Sequence, residues 1–130
     1  MFVHLKTKTI YSLLEGAIFA KALADQCRKF KMPAVGIADR ANLFGALEFS
    51  EVLSDNGIQP IIGCQLPISL KEADLKKLRA TDRISMLFLA TNELGYRNLM
   101  ELSTKFFLND SYRFEGMSIR EIDKFSDGLI

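Results

Sequence analysis

Hydrophobic and polar positions alternate from the start of the chain. In residues 2–9, Val3 and Leu5 alternate with His4, Lys6 and Lys8, the period of two that predicts a strand with one apolar and one cationic face. The period then lengthens, because Ile18, Phe19, Leu23, Cys27 and Phe30 recur at helical intervals. They predict a helix over 17–30, entered through Ser12-Leu13-Leu14-Glu15 with capping-box spacing and ended at Lys31-Met32-Pro33. Ala34-Val35-Gly36-Ile37-Ala38 reads as a buried strand that gives way to the polar turn Asp39-Arg40-Ala41-Asn42. A second helix follows from Leu43 to Ser54, stopped by Asp55-Asn56-Gly57. After Gln59-Pro60, residues 61–68 form a third strand, with an irregular end at Pro67. Residues 71–82 are polar and read as a solvated surface helix or loop. Residues 85–90 read as a fourth buried strand, and Leu94, Leu99, Leu102, Phe106 and Leu108 mark a helix ending near Asn109-Asp110. A last helical segment covers 118–125, and Gly128-Leu129-Ile130 looks like the opening of another buried strand.

Strands separated by helices predict an α/β fold, a parallel sheet with helices outside, since parallel neighbours need crossover connections. A closed (β/α) barrel takes about 250 residues. The 130 residues here would supply half of one, and the expectation is a single truncated domain. With 48% hydrophobic and 25% charged residues, one soluble domain is expected. No apolar run approaches a membrane span and no signal peptide opens the chain, so a cytoplasmic protein is expected, with no membrane partner. A formal charge of +1 provides no global polycation for nonspecific nucleic-acid binding, and neither asserts nor excludes a DNA partner. Cys27 and Cys64 sit among apolar neighbours and are read as buried reduced thiols; no Cys-x-x-Cys pair offers structural zinc.

Chemistry in such folds gathers at the carboxyl ends of the strands. The candidates there are His4, Lys6, Lys8, Glu15, Asp39, Arg40, Gln65 and Ser85. Only His4, Glu15 and Asp39 are credible metal ligands, because protonated lysine and arginine offer no lone pair. The set argues against a metal site.

Residues 2–17, from Phe2-Val3-His4-Leu5-Lys6-Thr7-Lys8 to Leu13-Leu14-Glu15-Gly16-Ala17, resemble the opening of the polymerase-and-histidinol-phosphatase (PHP) domain of bacterial DNA polymerase III alpha subunits. Met32-Pro33-Ala34, the run Ala38-Asp39-Arg40-Ala41-Asn42-Leu43-Phe44-Gly45 and its continuation to Phe49, Gly57-Ile58-Gln59-Pro60-Ile61-Ile62-Gly63 and Gly95-Tyr96-Arg97-Asn98-Leu99 resemble family signatures in the same order. The resemblance implies a partial distorted (β/α) barrel of PHP type with parallel strands.

Departures from the family pattern fall on its metal ligands. Lys6 and Lys8 stand where metal-bearing members carry a His-x-His pair, and Asp39-Arg40 stands for Asp-His. Glu15 replaces an aspartate, Gln65 a glutamate and Ser85 a histidine. The resemblance thus implies six degenerate metal-site positions, Lys6, Lys8, Glu15, Arg40, Gln65 and Ser85, with His4 and Asp39 in support, no catalytic residue and no metal in this chain. It implies a parent DNA-directed DNA polymerase, a nucleotidyltransferase acting in DNA replication, whose magnesium is bound elsewhere. Within that parent this segment would be a scaffold that docks the proofreading exonuclease subunit among other holoenzyme subunits, with DNA contacted through the parent. The alternatives are a retained metal-dependent phosphoesterase or 3'-5' exonuclease, and an independent DNA-binding module, the latter disfavoured by near-neutral charge.

Three readings of the cations stand open. Lys6, Lys8 and Arg40 replace the metals electrostatically, paired with Glu15 and Asp39; or the lysines are solvent-facing residues of a polar strand end; or the trio binds a phosphate or a DNA end. His4 is read as a hydrogen-bonded structural histidine, Glu15 as either a helix cap or an ion-pair partner, and Cys64 as core. Phe106 and Phe107 resemble core, though an exposed Phe107 beside Lys105 would suit a protein interface.

Overall fold

The structure, a computed structural model, describes residues 2–70 and 83–130. The stretch from Lys71 to Asp82, read from sequence as a surface helix or loop, lies outside the described residues. Strands β1 (Ala34–Arg40), β2 (Gln59–Ser69) and β3 (Arg83–Leu89) lie side by side in that order, and the two-residue β4 (Met117–Ser118) pairs with the far end of β2. β1 and β2 run parallel, from Ala34↔Gln59 to Arg40↔Gln65, with helix α2 (Ala46–Asp55) as their crossover. β4 is parallel to β2 as well.

The pleat sorts the side chains. Val35 and Ile37 of β1 share one face with Ile62, Cys64, Leu66 and Ile68 of β2. Helix α1 (Ala20–Lys29) and α2 cover the β1 side of that face, packing Leu23, Cys27, Phe49 and Leu53 against Val35 and Ile37. Helix α3 (Glu93–Leu108) covers the β2 side with Leu99, Leu102 and Phe106, joined by Met117 and by Ile122 of the short α5 (Ile119–Asp123). The opposite face carries Gly36, Ala38 and Gly63, then Arg40, Gln65 and Pro67 toward the strand ends. Helices outside and small or polar residues inside are the two surfaces of a partial barrel.

Several expectations change. Residues 2–9 form no continuous strand. Thr7 N–H donates to the Gly36 carbonyl (3.1 Å) and Ala38 N–H to the Thr7 carbonyl (2.8 Å), but only the isolated bridges Thr7↔Ile37 and Thr9↔Ile18 form. The run breaks because Thr9 N–H turns to the Asp39 carboxylate instead of a strand partner. The segment lies so close on β1 that a Cβ on Gly36 would stand 2.5 Å from the Leu5 carbonyl oxygen.

Ser12 is no helix cap either: its hydroxyl goes to Asp39, Glu15 N–H and Gly16 N–H close a turn on its carbonyl, and α1 starts at Ala20 behind Phe19 without a side-chain cap. The fourth strand, expected to be buried and parallel, is antiparallel to β2, from Gly63↔Leu89 to Ser69↔Arg83. Among residues 84–89 it is buried at Phe88 and Leu89 only; Ile84 and Met86 are exposed, since α3 leaves from the C-terminal end of β3 and packs there. Phe19, Phe30, Leu94 and Leu108 fit the helical spacing yet are exposed, because they sit at caps or terminal turns beyond the sheet.

Helix α4 (Asp110–Glu115) was not legible from periodicity; Asn109 caps it by accepting Tyr112 N–H at 3.4 Å. The buried strand expected to open at residues 128–130 is reduced to an isolated antiparallel bridge, Ala90↔Leu129, beside which Leu89 N–H donates to the Ile130 carbonyl (2.7 Å) and Ile130 N–H to that of Leu89 (3.0 Å), while the Ile130 side chain stays exposed. Gly128 seats against the first turn of α3, where a Cβ on Gly95 would fall 1.9 Å from its carbonyl oxygen. Both cysteines are buried and free, and among the described residues no helix is long and apolar enough to cross a membrane.

Candidate functional site

Arg40 ends β1, and the next residue, Ala41, turns the chain with a φ of 56° while its N–H donates to the Gln65 carbonyl at 2.9 Å. Leu14, before Glu15, also has a positive φ of 63°. A left-handed conformation costs a side-chain-bearing residue about 1–2 kcal/mol, and here it flanks both partners of one ion pair. The loop of residues 9–15 thereby folds over the end of β1. Glu15 Oε2 accepts from Lys8 Nζ, and its Oε1 from Arg40 Nη1 at 2.7 Å. The bond from Lys8 first, and that from Arg40 second, hold the Glu15 carboxyl below the ordinary glutamate range.

This triad forms one wall of a cleft of about 300 Å³. Gln65, Ile84 and Ser85 line the rest, with Pro67 opposite Ser85 in the sheet. Gln65 is only 6% exposed, and its Oε1 is buried with no hydrogen-bond partner among the described residues. An unmet acceptor of this kind costs about 1–3 kcal/mol.

Asp39, 4% exposed, takes a different part from the expected one. It makes no ion pair with Lys8 or Arg40. Its Oδ1 accepts Thr9 N–H (2.7 Å) and the Ser12 hydroxyl (2.6 Å), and its Oδ2 accepts the Thr9 hydroxyl (2.7 Å). A buried carboxylate on an apolar strand requires such donors, and uncharged ones at hand serve as well as a cation.

Lys6 also departs from expectation. It is exposed, makes no ion pair with a described residue, and lines a second groove of about 840 Å³ beside α1, which shares Lys8 and Glu15 with the cleft and runs along Leu23 and Phe30. The His4 ring is exposed and packs edge-on against Phe2 at 4.6 Å; it is the His4 backbone carbonyl that accepts a hydrogen bond, from Gly36 N–H. Five of the six proposed positions therefore share one cleft, and Lys6 stands outside it. Phe106 is core as expected, whereas Phe107, for which a core place was also weighed, is exposed.

Sequence reasoning missed Thr9 and Ser12 as holders of Asp39. It also missed Asn42, whose amide donates to the carbonyls of Tyr11 (3.1 Å) and Arg40 (3.0 Å), and the Tyr11–Glu48 hydrogen bond of 2.7 Å. The available signal was Asp39 itself, a charge at the end of an apolar strand that had to find partners.

The donors do not suit a metal. The cleft offers one carboxylate, and Lys8 and Arg40 already occupy both its oxygens. Among the described residues no group of three His, Cys, Asp or Glu side chains converges.

Parallel strands under outer helices, with a polar cleft at the strand ends, define an incomplete α/β barrel of the kind that hosts chemistry at its carboxyl edge. The chain belongs to the PHP domain family, whose model matches residues 4–130. It is 44% identical over 130 residues to DNA polymerase III subunit alpha of Caulobacter vibrioides, 34% over 131 residues to that of Borreliella burgdorferi and 35% over 129 residues to that of Helicobacter pylori. Each match takes in 99% of this chain and 11% of the relative, so the chain spans about a tenth of their length. A solved structure from Bifidobacterium adolescentis, assigned as a metal-dependent phosphoesterase, has the same fold, with a TM-score of 0.59 at 20% identity over 85% of this chain and 34% of that one.

Proposed function

We propose that this chain is the PHP portion of a replicative DNA polymerase III alpha subunit, a single partial domain that is catalytically silent and acts as a scaffold. The 44% identity along nearly the whole chain to the Caulobacter alpha subunit carries this reading. The parent is a cytoplasmic DNA-directed DNA polymerase that extends DNA with magnesium held by carboxylates outside this segment. The segment stabilises that polymerase and docks the proofreading exonuclease subunit of the holoenzyme. The six positions Lys6, Lys8, Glu15, Arg40, Gln65 and Ser85 are read as a degenerate metal site, in which the cations of Lys8 and Arg40, bridged by Glu15, replace divalent ions and tie the N-terminal loop to the sheet. A retained metal-dependent phosphoesterase or exonuclease is disfavoured by that donor set.

Elemental analysis, a manganese-dependent nuclease assay and co-purification with the exonuclease subunit test the proposal. A silent scaffold retains the exonuclease and gives no stoichiometric zinc or manganese. Two or three metal ions per chain, or manganese-dependent nucleotide release lost in Glu15→Ala, would overturn it.

A further inference from the structure

We propose that the Asn56–Gly57 peptide, at the end of α2, is a site of non-enzymatic deamidation whose rate is held down by the Arg28 side chain of α1.

Of the five asparagines, Asn56 alone precedes a glycine. Deamidation at such a pair starts when the Gly57 backbone nitrogen gives up its proton to base and attacks Asn56 Cγ. The N–Cγ bond forms, the Cγ–Nδ2 bond breaks, and ammonia departs with a proton from water. Water then opens the cyclic imide at either carbonyl, leaving aspartate or isoaspartate. The net change is water consumed and ammonia released, with no oxidation. Glycine favours the attack because no side chain crowds the nitrogen. The surroundings do not crowd it either: both residues are exposed, and a Cβ on Gly57 would meet nothing within 4 Å.

Hydrogen bonds oppose the attack. Gly57 N–H donates to the Ser54 carbonyl (2.9 Å), so the nucleophile is engaged along the helix end. Asn56 Nδ2 donates to the Val52 carbonyl (2.8 Å), and its Oδ1 accepts from Arg28 Nη1 (3.1 Å). The first two bonds lie within the last turn of α2 and open when that turn frays. The third comes from another helix, 28 residues away, and ties the amide to α1 from outside the turn. Arg28 is thus a gate on a reaction that the local sequence favours. The products matter to the fold. A carboxylate at position 56 sets one acceptor against another at the Val52 carbonyl, at the negative end of the α2 dipole. Isoaspartate adds a backbone methylene just ahead of Ile58, a buried residue whose N–H donates to the Leu53 carbonyl at 2.9 Å.

Peptide mapping by mass spectrometry, with released ammonia measured in parallel, follows the full chain through incubation in mildly alkaline buffer and in guanidinium chloride. Wild type is expected to deamidate at Asn56 before any other asparagine, and more slowly in buffer than in denaturant. Arg28→Ala, shown to be folded by its cooperative unfolding transition, is expected to react about two- to tenfold faster than wild type in buffer, the change in population that one ordinary hydrogen bond commands. In denaturant the two should match, since Arg28 is then remote from Asn56. Lys29→Ala, beside Arg28 on α1 but without this bond, should follow wild type throughout. The wild-type comparison of buffer with denaturant needs no variant to fold. Reaction elsewhere first, equal wild-type rates in the two media, or an unchanged rate in Arg28→Ala overturns the proposal. A slower Arg28→Ala overturns it as well, for the guanidinium would then assist the attack by stabilising charge on Oδ1.

Discussion

The Ser12 hydroxyl donates to Asp39 Oδ1 at 2.6 Å and accepts the Arg40 N–H at 3.1 Å, so one side chain fixes both the buried carboxylate and the cation that follows it. Ser12→Ala removes a donor from a buried charge and an acceptor from a backbone amide. The expected loss is about 1–3 kcal/mol in a denaturant titration with unchanged slope.

Glu15 makes the stability of the N-terminal loop dependent on acid. Folding lowers its pKa, so between the folded and unfolded values the unfolded chain binds more protons. The contribution is complete above the ordinary glutamate value and is lost as pH falls through the lowered one. Glu15→Gln should therefore be less stable than wild type near neutrality, by about 1 kcal/mol or less for so exposed a pair, and the gap should close on acidification and at high salt. Lys6→Ala, outside the network, should leave thermal unfolding unchanged at any of these pH values.

Leu89 and Met86 share a strand but not an environment, at 6% and 45% exposed. Leu89→Ala should cost about 2–5 kcal/mol, the range for core leucine truncation. Met86→Ala should fall within about 0.5 kcal/mol of wild type in the same urea titration.

Burial, and secondarily the nearby Asp39 charge, push the Cys64 thiol up to about 12, and burial raises Cys27 as well. Neither should be alkylated by iodoacetamide in the native state near pH 8, while both should react at once in denaturant. Mass spectrometry before and after unfolding reads the difference.

Much of the fold was legible because its signals are local. The apolar run at Val35–Ile37 and the spacing of Leu99, Leu102 and Phe106 located elements that the structure retains. Less legible were features set by distant partners. Ser12 looks like a cap until Asp39, 27 residues away, claims its hydroxyl. Residues 2–9 read as a strand because alternation reports two-sidedness, not the availability of a pairing edge beyond Thr7. Direction is invisible too: the residues of β3 would read the same in a parallel or an antiparallel pair, and the connection that decides it follows no periodicity. At the site, the residue types of Lys8, Glu15 and Arg40 predicted their pairing; the exclusion of Asp39 from it follows from Thr9 and Ser12, uncharged donors 30 and 27 residues away that no local pattern announces.

The Asp39 carboxylate gathers Thr9 from 30 residues upstream and Ser12 from 27. During synthesis the loop of residues 9–15 has no Asp39 to grip until the whole of β1 has emerged behind it. Its turns close locally, but their attachment to the sheet is made from a distance, paying for loop closure only after Asp39 is in place. The cation-lined cleft is therefore absent from every nascent chain that stops short of Arg40, and a loop made before β1 finds its place only after it.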